Sequence, residues 1–139
     1  MKTVADLYAE VARVLTGSDV ILQFKRPVYK NMLACVSKNE GGKIVIDLTP
    51  DLPGELSLKV FLHECAHVKL HARKFASSRI SAMASGSVKS GGAQNEKQER
   101  EAEEFTKHWL SYARLHLMDY WQNGMSEESA MLTALKNIK

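Results

Sequence analysis

Residues Glu55 to Arg73 read ELSLKVFLHECAHVKLHAR, a stretch with no Gly or Pro that is apolar on most sides, as expected of a helix buried at the centre of a domain. Within it His63, Glu64 and His67 spell H-E-x-x-H. Residues four apart on a helix lie one turn apart on the same face, so two imidazoles there can converge on one ion at about 2.0–2.1 Å from each nitrogen. Glu64 follows the first histidine and flanks that face, within reach of a water that the ion holds. Zinc brings the pKa of such a water towards about 7, and a neighbouring glutamate can then take its proton to leave a hydroxide nucleophile. The competing reading is two ordinary helix histidines beside a surface acid. Among Leu62, Cys65, Ala66, Val68 and Leu70, however, two imidazoles and a carboxylate without a partner would cost on the order of several kcal/mol. The segment therefore predicts a zinc site on a central helix, with Glu64 as general base.

A catalytic zinc normally takes three protein ligands and keeps one position open. His71 is two turns from His63, about 12 Å along the axis and out of reach of the same ion. The longer pattern H-E-x-x-H-x-x-G-x-x-H is absent, because Lys69 stands in place of its Gly and Arg73 in place of its third His. The third ligand must come from elsewhere. The segment QEREAEEF supplies Glu99, Glu101, Glu103 and Glu104 just before an apolar face marked by Ala102, Phe105 and Trp109. Most of these acids suit a solvated helix start. Glu101, one turn before Phe105, flanks the apolar stripe and is the expected ligand; Glu104 is the alternative. His108 shares that flank and is a candidate hydrogen-bond donor to the oxyanion of acyl attack.

Outward from the central helix, the first segment repeats Val4, Leu7, Tyr8, Val11, Val14 and Leu15 at helical spacing, with Thr3 as cap and Gly17 as stop. Three strands are expected at 20–24, 32–36 and 43–48, the last two joined by SKNEGG. A long helix is expected at about 94–122 and a final one capped by Ser126. The fold class is α+β: a small three-stranded sheet packed on the H-E-x-x-H helix, with one N-terminal and two C-terminal helices.

The chain has 139 residues, 45% of them hydrophobic and 25% charged, enough for one domain and too few for two. No run of apolar residues is long enough to span a membrane, and Asp6 and Glu10 fall where a signal peptide would be apolar, so a cytoplasmic protein is expected. Cys35 and Cys65 are too few for a disulfide framework. The net charge of +3 is modest for a nucleic-acid binder. It is concentrated between Arg73 and Lys97, where Arg73, Lys74, Arg79, Lys89 and Lys97 face only Glu96 in a Ser- and Gly-rich stretch that predicts a mobile loop at about 74–95.

At these residues the chain resembles the ImmA/IrrE family of small zinc metallopeptidases, a gluzincin-type group. The likeness rests on the apolar strand KIVIDL, a loop, FLHECAHVKLH and then E-A-x-x-F within EREAEEF, and spans roughly the middle and later thirds of the chain. His71 falls where that family often carries His. The resemblance implies a minimal zincin-like fold in which His63, His67 and Glu101 bind zinc and Glu64 is the general base. It also implies an endopeptidase whose substrate is a protein, such as a DNA-binding regulator. Substrate would pair with an exposed strand edge, expected at Ile44 to Leu48. The rival class is a zinc-containing binding or regulatory protein, with the basic stretch holding a nucleic acid or an acidic partner, or with an antirestriction- or toxin-type role.

Overall fold

Thr3 opens the first helix, α1 (Val4–Thr16), through a capping box: its side chain accepts from the Asp6 N–H at 3.1 Å while the Asp6 carboxylate accepts from the Thr3 N–H at 3.0 Å. Gly17 ends the helix in the left-handed region, φ 71°, and its N–H bonds the Arg13 carbonyl at 2.9 Å. Strands β1 (Val20–Phe24), β2 (Met32–Lys38) and β3 (Ile44–Leu48) follow, then the long helix α2 (Gly54–His71). After it come strand β4 (Ser81–Ala84), helix α3 (Ala93–Leu115), the single turn α4 (Leu117–Tyr120) and α5 (Glu127–Lys136), which Ser126 caps by accepting from Ser129 N–H. This is a computed structural model, and it describes residues 3–26, 32–71, 81–84 and 93–138.

The three expected strands form the sheet, and β4 extends it to the order β1-β3-β2-β4. Strand β1 runs parallel to β3, whereas β2 is antiparallel to both β3 and β4. The β2–β3 hairpin turns at Asn39 to Gly42, where Gly42 takes φ 79° and Asn39 Oδ1 accepts from the Lys43 N–H at 3.0 Å. Alternation along β3 buries Ile44, Ile46 and Leu48, and the register sets Leu48 opposite Ala34 and Ile46 opposite Val36 of β2. These side chains join Leu58, Phe61 and Leu62 of α2, Leu7, Tyr8 and Val11 of α1, and Leu132 and Leu135 of α5 in one core.

Several expectations are corrected. Ile44–Leu48 is paired on both sides, parallel to β1 and antiparallel to β2, and offers no free edge. The long helix stops at Leu115, since His116 departs from helical geometry at φ −99°, ψ 6° before α4 begins. Trp121, within the stretch expected to be helical, is exposed and donates its indole N–H to the Met125 carbonyl at 2.7 Å. Part of the expected basic loop is strand β4, while Arg73, Lys74, Arg79 and Lys89 lie outside the described residues, as does the His71 side chain.

Tyr8 ties three helices together. It is fully buried, packs edge-on against Phe61 at 4.8 Å between ring centroids, lies 3.0 Å from Ser57 Oγ, and donates its hydroxyl proton to the Glu128 carboxylate. Replacing it takes the hydroxyl from the half-buried Glu128 carboxylate and the buried Ser57, so Tyr8→Phe should lower the unfolding free energy by about 1–3 kcal/mol in urea titration.

Cys35 and Cys65 are both free and buried. Burial, followed by the negative charges of Asp47 and Glu64, pushes the Cys35 thiol up to about 12. Burial also raises the Tyr8 phenol, reinforced by its bond to Glu128. Groups raised in the folded state stay protonated there while the unfolded chain ionises, so their stabilising contribution is complete below the unfolded pKa and is lost as pH rises through the folded one. For Cys35 that window runs from its ordinary value of 9.0 up to about 12. Urea midpoints of the metal-free protein should therefore fall across this range, less steeply in Cys35→Ala.

Candidate metal centre

Helices α2 and α3 run antiparallel. The pairing is visible at both ends: Glu55 in the first turn of α2 forms an ion pair with Arg114 in the last turn of α3, and Glu99 near the start of α3 meets His63 and His67 late in α2. The exposed pair at Glu55 contributes at most about 1 kcal/mol. What brings the helices close is the buried face of α3, made of Gln98, Ala102, Thr106, Leu110 and Ala113, small or unbranched at most positions. Thr106 returns its hydroxyl to the Ala102 carbonyl at 2.7 Å, which removes a buried donor that would otherwise hold the helices apart.

On α2 the i, i+4 spacing sets the two histidines on the face toward α3, with Nε2 atoms 3.2 Å apart. One Glu99 carboxylate serves both: Oε2 is 2.9 Å from His63 Nε2 and Oε1 is 3.0 Å from His67 Nε2. Ligand atoms at 2.0–2.1 Å around a tetrahedral ion are separated by about 3.3 Å, which the 3.2 Å between the two Nε2 atoms approaches. Among the described residues, His63, His67 and Glu99 are the group of histidine, cysteine and acidic side chains whose ligand atoms converge closely enough to hold a metal ion.

The charges fit a cation. Burial alone would raise the Glu99 carboxyl, but its hydrogen bonds to His63 and His67 outweigh burial and hold it at about 2, so it is an anion at neutral pH. Glu64 has the opposite environment. It is fully buried, neither carboxylate oxygen has a hydrogen-bond partner among the described residues, and burial first, then the Glu99 charge, pushes its carboxyl well above the usual range. A buried carboxyl with two orphaned oxygens beside three residues able to hold a metal ion is an arrangement that a cation and a water would fit, since a dication offsets the Glu99 charge and a water supplies a donor.

The carboxylate brought to the histidines is therefore that of Glu99, and Glu101 is not in the group. Two residues on along a helix is about 200° around its axis, so the two side chains leave opposite sides. Glu103 and Glu104 are exposed. His108 is exposed too, with its ring edge-on to Trp109 at 4.5 Å between centroids. Lying nine residues beyond Glu99, it is about 13.5 Å along the helix and on its far side, so it does not join the group. The apolar face marked by Ala102, Phe105 and Trp109 is rotated from the buried one: Phe105 and Trp109 are half-buried at its border, and Ala102 and Thr106 are its centre. A usable signal was present in the sequence: Glu99 precedes Ala102 by three and Thr106 by seven, the spacing of one helix face.

Compared with protein-family models, curated proteins and solved structures, the chain matches none. Among the described residues no helix is long and apolar enough to cross a membrane.

Proposed function

We propose that this protein is a zinc-dependent endopeptidase, related in kind to the ImmA/IrrE metallopeptidases, that hydrolyses a peptide bond in a protein substrate such as a DNA-binding regulator. The observation that carries the reading is Glu64. A structural metal site has no use for a second acidic side chain placed beside the ligands with both oxygens orphaned, whereas hydrolysis requires a base in that position.

His63, His67 and Glu99 would hold the ion, and two imidazoles with one carboxylate are a donor set suited to zinc. When bound, zinc would supply Lewis-acid chemistry, polarising a carbonyl and making water acidic near neutral pH. The rest falls to the chain. Glu64 takes the proton from the attacking water and returns it to the leaving amine, and its dry surroundings keep bulk water from competing for that proton. Glu99, within 3.0 Å of both ligating nitrogens, supplies the negative charge that a dication on that face requires.

The test is metal content and cleavage in the same preparation. Purified protein should carry about one zinc per chain. It should cut members of a quenched-fluorescent peptide library, stop with EDTA and recover with zinc. Stoichiometric zinc with no cleavage of any member, nor of a co-expressed regulator, would favour the second reading, a binding protein with a structural zinc. The near-complete burial of both histidines is the observation on that side.

A further inference from the structure

The metal-binding helix stands at one end of the sheet. Helix α2 packs on β2, β3 and β4 but, among the described residues, not on β1. The edge that flanks His63 and His67 is therefore the β2 side, since β3 is paired by both of its neighbours. That edge is filled by the chain itself. Residues Ser81–Ala84, a four-residue strand reading SAMA, lie antiparallel on β2 with Val36 opposite Ser81, Cys35 opposite Ala82 and Ala34 opposite Met83. The register then slips between Ala34 and Met32. The pairing is four residues long and carries this shift, so little of the chain must be released to free the edge. At the same time His63 is 4% exposed, His67 2% and Glu64 0%, and β4 is among the elements packed on the helix that carries them.

The geometry points to the outer edge of β2 as the docking site for an extended peptide of small and apolar residues, and to β4 as an internal occupant that holds this edge and keeps the metal centre closed. Recognition there is by main-chain hydrogen bonds, the antiparallel mode of strand addition, for which the sequence of the added strand need only be small enough to lie flat. The inference rests on the peptidase reading only in making that peptide a substrate; the docking itself is independent of chemistry.

The experiment uses a fluorescent peptide with the sequence of residues 79–86, RISAMASG, and the full-length protein. Ala82→Pro removes an N–H from β4 and breaks its pairing with β2. Hydrogen exchange in residues 32–38 reports the release without reference to activity. If β4 occupies the edge in nine molecules of ten or more, the peptide should bind Ala82→Pro at least about tenfold more tightly than wild type, because the competent fraction limits apparent affinity. A combined Ser81→Gly, Ala82→Gly, Met83→Gly and Ala84→Gly variant weakens the strand without proline and provides the same comparison should the proline variant not fold. Faster exchange in 32–38 with unchanged peptide affinity overturns the inference. Tighter binding without cleavage in the zinc-loaded variant sustains the docking edge and instead removes the peptidase reading. Cleavage by wild type that is unaffected or lowered on release of β4 sustains the peptidase and overturns β4 as a block.

Discussion

Glu64→Gln should still bind about one zinc per chain and lose about 10²–10⁴-fold in cleavage rate, the range that positioned acid–base catalysis supplies. The substitution keeps the shape of the side chain and removes only its ability to accept and return a proton. Glu64 is on α2 beside His63, yet it is not among the converging ligand atoms, which belong to His63, His67 and Glu99. Metal content is therefore expected to be unchanged while turnover collapses. The measurement is a paired one, with elemental analysis and initial rate on the same sample. Wild-type turnover in Glu64→Gln would show that another group moves the proton. Loss of zinc would show that Glu64 binds the ion directly.

The second large effect separates two glutamates of one helix. Glu99→Gln removes the anionic ligand and should empty the site during dialysis against a weak chelator, as should His63→Ala, whereas Glu101→Gln should retain about one zinc per chain. Elemental analysis after dialysis decides it. The physical basis is rotational: Glu99 offers one oxygen to each histidine, at 2.9 and 3.0 Å, and a residue two places on cannot share that face. Retention of zinc by Glu99→Gln together with its loss from Glu101→Gln would restore the assignment that the sequence favours.

The comparison of sequence and structure turns on what each signal measures. Thr3, Gly17 and Ser126 act at the positions where their local chemistry places them, because caps depend on only a few neighbouring residues. Strands β1 and β3 likewise fall within one residue of the expected segments. Strand β4 was not legible, since Ser, Ala and Gly carry little strand preference and its order comes from β2, far away in sequence. Nor was the central position of β3, because a run of alternating apolar residues shows that a strand is half-buried and not which strands lie beside it.

By itself, then, the sequence determined the local elements and the pair His63 and His67, because i, i+4 spacing on a helix needs no knowledge of the rest of the chain. Only the tertiary structure decided the third member of the group. That choice depends on the rotation of α3 against α2, which is set where Ala102, Thr106 and Ala113 let the two helices approach, and this turns Glu99 inward. Side-chain polarity marks a helix face to within about a residue or two, but a metal site requires the one residue whose carboxylate arrives within bonding distance, and packing at the helix contact makes that selection.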